Sequence, residues 1–189
     1  VDQILGEDKP KKVIFIVWDG LRPDVITREN TPVLYQMKKT GVFFSDHHSS
    51  FPSITMNNAN SFATGLYAGD TGFYGNKIWR PEILGDQPIS VQDENVLERL
   101  NQPEAGKPLL YAETLLQVAN RHGLTTVQLG KDGPALLQNV DLGEKNIILT
   151  NNVIHPQSFL QMLKKKRYKL PDKFNKNNEN NNLFKKTRL

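Results

Sequence analysis

Apolar positions fall along this chain in blocks whose spacing changes from one block to the next. Lys12–Trp18 reads KVIFIVW. A continuous β-branched and aromatic run of this kind suits a strand buried on both faces of a parallel sheet. Asp19-Gly20 closes it with a turn signal. Thr31-Pro32 predicts a helix start with Pro at the first position and Gly41 as the stop, and places Val33, Leu34 and Met37 on one face. Val42-Phe43-Phe44 predicts a return to strand. Thr55–Thr64 predicts a second helix ended by Gly65, with Met56, Ala59, Phe62 and Ala63 as its apolar side. A third helix is expected over Ala112–His122, with Leu115, Leu116, Val118 and Ala119 inward and Gly123 at its end. Strands are expected at Leu124–Leu129 and Asn146–Leu149, and a last helix at Gln157–Lys166. Residues 66–110 show no clean period, hold several Pro and Gly, and read as long loops beside a site. The alternation of strands and helices predicts an α/β fold, a three-layer α/β/α sandwich around a mostly parallel sheet.

Composition narrows the chemistry more than the fold. The chain has 189 residues, enough for one domain or a large piece of one. It contains no Cys, which excludes disulfides, Cys-ligated zinc and a Cys nucleophile. No apolar run approaches the ~18 residues that a transmembrane helix needs. The first residue is Val1 rather than Met, which reads as a processed, trimmed or partial product.

The net charge of +4 conceals an asymmetry: residues 1–160 hold 14 Lys/Arg against 18 Asp/Glu, and residues 161–189 hold 10 against 2. The basicity belongs to the end of the chain. Asn175–Asn182 has six Asn in eight residues, interrupted by Lys176 and Glu179. Such a segment has too little apolar surface to offset its ordering entropy. Residues 171–189 are therefore expected to be a disordered basic Asn/Lys-rich tail, with residues 1–170 as the domain. Nucleic-acid binding by the tail ranks last, because Phe174 and Phe184 are its only aromatics and charge runs are usually just solvated.

Two positions could carry chemistry. Asp19 follows the first expected strand, where open parallel sheets bind ligands, and its carboxylate suits a hard or borderline cation. It is equally ordinary as a turn Asp. Thr55 opens the second expected helix, where free N–H groups and the helix dipole favour a phosphate. A Thr hydroxyl needs a base or metal to become a nucleophile, and Thr is also a common structural N-cap. Asn57, Asn58 and Asn60 are unusual in a helix, since Asn is a poor helix-interior residue.

Read together, VIFIVWDGLRPD (13–24) and TPVLYQMKKTGVFFSDHHSSFPSITMNNANSFATGLYAGDTGFYGNKIW (31–79) resemble the alkaline phosphatase superfamily. The branch is the type I phosphodiesterase/nucleotide pyrophosphatase family. The specific part is the order: strand-Asp-Gly, Thr-Pro-x-Leu, Phe-Pro-x-x-Thr, Ala-Thr-Gly-Leu-Tyr, then Thr71-Gly72 and Gly75-Asn76. A weaker likeness continues through LGKDGPALL (129–137) and NIILTNNVIHPQSF (146–159), giving a span of about residues 10–170.

The resemblance implies an alkaline-phosphatase-like fold and a metal-dependent phosphodiester or pyrophosphate hydrolase. It implies that Thr55 is the metal-bound nucleophile, forming a phospho-threonyl intermediate. Asp19 is then a metal ligand, and Asn76 the residue that binds a phosphoryl oxygen. It further implies two divalent metal ions, zinc by analogy, a phosphodiester or nucleotide-like small molecule as substrate, and an extracytoplasmic location. The rest of the metal shell does not occur in this sequence, so the chain reads as an incomplete, N-terminal part of such a catalytic domain. Asp46-His47 looks like the family's Asp-His pair but precedes the nucleophile, and adjacent strand residues point to opposite faces. His48 has no better claim, His122 reads as a helix-end residue and His155 as a helix-entry residue. A sulfatase would carry an Arg after the Pro of Ser50-Phe51-Pro52-Ser53-Ile54, and none is there. Two alternatives stay open: a catalytically inactive phosphate-binding relative, and a phosphonate hydrolase of the same superfamily. In the latter, Lys131 of the GKDG segment could pair with the substrate, although a surface-loop Lys is the plainer reading.

Overall fold

Proline and glycine set the helix ends. The computed structural model describes residues 12–101 and 108–175. Helix α1 spans Pro32–Thr40, with Pro32 in its first turn and Gly41 just beyond. Pro costs little there, because that N–H has no intrahelical acceptor. Helix α2 spans Thr55–Thr64 and stops at Gly65, whose φ of 72° is the left-handed conformation that ends helices and that a Cβ disfavours. Both helices match the sequence expectation.

The chain divides into two units, Val1–His47 and His48–Leu189. The described part of the first contains a tight turn, in which the Leu21 N–H donates to the Trp18 carbonyl at 3.2 Å with Gly20 at φ 75°, then a 3-10 turn at Pro23–Val25 and α1. Two expected strands are absent. Residues 12–18 and 42–44 lie outside any helix or strand. Their apolar side chains are exposed, as with Val13 at 84% and Val42 at 83%. A strand is defined by a ladder and a buried strand by cover on both faces. The described residues of this unit contain helix and turn only, so neither run has a partner strand within it.

The second unit carries the core, and residues 66–110 supply much of it, contrary to the loop reading. After α2 come α3 (Ala68–Thr71), β1 (Lys77–Ile78), α4 (Pro81–Leu84), β2 (Ile89–Ser90) and α5 (Glu94–Leu100). Strands β1 and β2 pair antiparallel. Phe73, Ile78, Val91, Leu97, Leu100 and Leu109 are buried with Met56 and Ala59 of α2. The Leu97/Leu100 spacing of three is a helical signal, too short in span to register as a period.

Helix α6 begins three residues later than expected, at Leu115, and runs to Arg121. Thr114 and Gln117 form a capping box that fixes the start: the Gln117 N–H donates to Thr114 Oγ1 at 3.2 Å and the Thr114 N–H to Gln117 Oε1 at 2.8 Å. Leu115, expected inward, is 67% exposed. The capping box explains this, since it turns Thr114 inward, at 1% exposure, instead of its neighbour.

Strand β3 (Thr126–Gly130), α7 (Asp132–Leu136) and β4 (Asn146–Thr150) form one parallel βαβ unit, and β5 (Ile154–His155) adds to β4 antiparallel. Helix α8 (Gln157–Lys165) follows, and α9 (Asp172–Asn175) ends the described chain. The observed fold is mixed α/β with two small sheets, ordered β1-β2 and β3-β4-β5. The expected three-layer sandwich and mostly parallel sheet are not what the described residues form. Among the described strands only β3 and β4 pair parallel, with α7 as the connection between them. Phe174, expected at the start of a disordered tail, is 2% exposed and packs in a second apolar cluster with Ile154 and Leu160. The expected boundary after residue 170 therefore falls just before a packed segment, while residues 176–189 lie outside the described residues.

Strand β3 turns its polar residues inward: Thr126 and Gln128 are buried, while Val127 and Leu129 are exposed. Asn146 makes this tolerable. Its Oδ1 accepts from Gln128 Nε2 at 2.6 Å and Thr126 Oγ1 at 3.0 Å, and its Nδ2 donates to the Asp141 carbonyl at 2.6 Å. Buried polar groups cost about 1–3 kcal/mol each when left without partners. Asn146→Leu is therefore expected to lower stability by about 2–3 kcal/mol, read as a lower urea midpoint at unchanged m-value. An unchanged midpoint would contradict this account of β3.

Candidate active site

Thr55 is the first residue of α2 and half-buried. The chain enters the helix at Ile54 in extended conformation, φ −119° and ψ 153°. Helix starts leave N–H groups without intrahelical acceptors. One of them is taken by a residue from another part of the chain: the Met56 N–H donates to Asn76 Oδ1 at 2.9 Å. This contact sets the Asn76 amide against the residue that follows Thr55. The amide Nδ2 of the same side chain is a hydrogen-bond donor.

The turn that carries Asn76 is held on three sides. The Val91 N–H donates to the Asn76 carbonyl at 3.0 Å, just beyond β2. The Trp79 N–H donates to Tyr74 Oη at 3.0 Å, closing residues 74–79. At Gly75 a Cβ would stand 3.3 Å from the Lys77 carbonyl oxygen, a tight approach, and in ordinary contact with Ile54 Cδ1 at 3.5 Å. Sequence reading gave Tyr74 no role and reached Gly75 only through the family motif. The signal for both was weak, because a Tyr–backbone contact and a Gly turn inside an irregular segment leave no periodic pattern.

The other candidates fall on different segments of the chain. Asp19 lies in the first unit, exposed in the Trp18–Leu21 turn. Asp46 sits in a turn, and His47 and His48 follow it without regular structure, so there is no strand end here for an Asp-His pair to occupy. His122 is the C-cap of α6. His155 lies on β5, one residue before the N-cap of α8, with its Nε2 3.2 Å from the Gly143 carbonyl oxygen. Lys131 is the N-cap of α7, and its Nζ donates to Gln92 Oε1 at 2.6 Å.

The model of the family described as type I phosphodiesterase / nucleotide pyrophosphatase matches residues 13–183. The chain belongs to that family. Its match runs past residue 170, into the basic segment.

Two curated members are similar to it. A bis(5'-adenosyl)-triphosphatase of Xenopus laevis is 35% identical over 78 residues, 39% of this chain and 17% of that protein. An uncharacterized pyrophosphatase/phosphodiesterase of Schizosaccharomyces pombe is 35% identical over 82 residues, 43% of this chain and 17% of that protein. The matched segment thus spans about a sixth of either relative. No solved structure is significantly similar to the chain.

Type I phosphodiesterases are metal-dependent. Among the described residues, no three His, Asp or Glu side chains gather closely enough to hold a metal ion. Among the described residues, no helix is long and apolar enough to cross a membrane.

Proposed function

We propose that this chain carries the nucleophile and phosphoryl clamp of a phosphodiester or pyrophosphate hydrolase, with Thr55 as nucleophile and Asn76 as clamp. The observation that supports it is the Asn76 Oδ1 contact with the Met56 N–H, which puts an amide donor beside Thr55 at the start of a ten-residue helix. The helix start attracts the phosphate through its N–H groups and dipole. Asn76 Nδ2 donates to a non-bridging oxygen whose charge rises as the transition state forms. Thr55 Oγ1 attacks phosphorus as its own proton passes to solvent, the bond to the leaving oxygen breaks, and a phospho-threonine remains for water to hydrolyse. The leaving oxygen takes a proton from solvent. Asp19 and Thr55 are this chain's candidates for two divalent ions, zinc by family analogy. When bound, such ions lower the pKa of a coordinated hydroxyl and neutralise phosphate charge. The substrate class is a phosphodiester or nucleotide-like pyrophosphate, as the Xenopus relative's name suggests, and the location is extracytoplasmic.

A second reading has one observation in its favour. The lack of a three-ligand cluster among the described residues suits a phosphate-binding relative without turnover. The phosphonate reading loses ground, because Lys131 is engaged by Gln92. The test is hydrolysis by the full-length protein with zinc. Bis(p-nitrophenyl) phosphate is expected to be cleaved at least about tenfold faster than p-nitrophenyl phosphate. Binding of inorganic phosphate with hydrolysis of neither ester would favour the inactive relative.

A further inference from the structure

We propose that Asn58 is a positioning residue that fixes how the chain enters Thr55, an inference that rests on Thr55 being the nucleophile. Asn58 lies in the first turn of α2, where Asn is a poor helix former. Its side chain is spent on the segment outside the helix. Asn58 Oδ1 accepts from the Ser50 N–H at 2.9 Å, and Nδ2 donates to the Ser50 carbonyl at 3.3 Å and the Ile54 carbonyl at 3.1 Å. One amide therefore ties both ends of the Ser50–Ile54 entry loop together. Asn57 supports the middle of the loop, donating from Nδ2 to the Pro52 carbonyl at 2.9 Å, which also accepts the Ile54 N–H at 2.8 Å. Ser50 Oγ donates to Ser61 Oγ at 3.0 Å, about one turn beyond Asn58 on the same helix. Thr55 is thus held from two directions, by Asn76 through Met56 and by Asn58 through Ile54.

The arrangement separates positioning from helix stability. The Asn58 N–H also donates to the Ile54 carbonyl at 3.1 Å, and this backbone bond survives any side-chain change. Alanine is the best helix former, so Asn58→Ala leaves α2 at least as helical while releasing Ser50. A displacement of about 1 Å at a reacting group can cost on the order of a hundredfold in rate.

The experiment compares the full-length wild-type protein, Asn58→Ala and Ile154→Val, all with zinc and bis(p-nitrophenyl) phosphate. Ile154→Val is a mild truncation in the second apolar cluster and serves as the stability control. Asn58→Ala is expected to lower kcat about 10- to 100-fold with KM within about threefold, and to speed amide exchange at Ser50. Ile154→Val is expected to keep the wild-type kcat. An active wild type with unchanged kcat in Asn58→Ala, or with the same kcat loss in both variants, overturns the positioning role and leaves the hydrolase reading standing. An inactive wild type overturns both.

Discussion

Thr55→Ala is expected to lower kcat for bis(p-nitrophenyl) phosphate by at least about a thousandfold, because loss of a nucleophile leaves only binding and electrostatic effects. The fold should tolerate the change. The helix continues through ten residues, its end is set by Gly65, and its apolar anchors Met56, Ala59 and Ala63 are untouched. Ala is also a better helix former than Thr. A melting temperature within a few degrees of wild type is therefore expected, measured beside the rate. Thr55→Ser keeps the hydroxyl and should retain a measurable fraction of turnover. Full activity in Thr55→Ala would remove Thr55 from the chemistry altogether.

Asn76→Ala is expected to lower kcat about 100- to 1000-fold, the usual cost of one donor to a developing oxyanion. It also strips the Met56 N–H of its acceptor, so a stability loss of about 1–3 kcal/mol should accompany it. Asn76→Asp separates the two effects. A carboxylate still accepts from the Met56 N–H and suits a helix N-terminus, so stability should stay near wild type. It offers no N–H to the phosphoryl oxygen and adds negative charge beside it, so turnover should fall at least as far as in Asn76→Ala. If Asn76→Asp hydrolyses the diester at the wild-type rate, Asn76 serves only as a helix cap.

The reading of α2 from sequence succeeded because its limits are local: Thr55 at the start and Gly65, needing a positive φ, at the end. The strands near β3 and β4 were legible as short runs, but α7 between them and their parallel pairing were not, because α7 is only five residues long. The Asn76–Met56 contact was different. Nothing in periodicity brings together residues 20 apart in sequence across an irregular segment, and Asn76 was reached through the family motif alone. The core role of residues 66–110 was missed because its elements are two to seven residues long, below the span at which a hydrophobic period can be counted. Lys12–Trp18 failed in the opposite sense. Its pattern is a strand's, but a pattern states what a segment would bury and not what is available to cover it, and among the described residues of its unit no ladder forms. The inward Thr126 and Gln128 of β3 could not be foreseen either, since their burial depends on Asn146, a residue of the neighbouring strand.

The central claim, that Thr55 Oγ1 attacks phosphorus, is tested most directly by acid-quenching the full-length protein during turnover of bis(p-nitrophenyl) phosphate and mapping covalent phosphate by mass spectrometry. The account predicts a phosphoryl group bearing one p-nitrophenyl ester on Thr55, absent from Thr55→Ala. Steady turnover with the group on another residue, or on none, would contradict it.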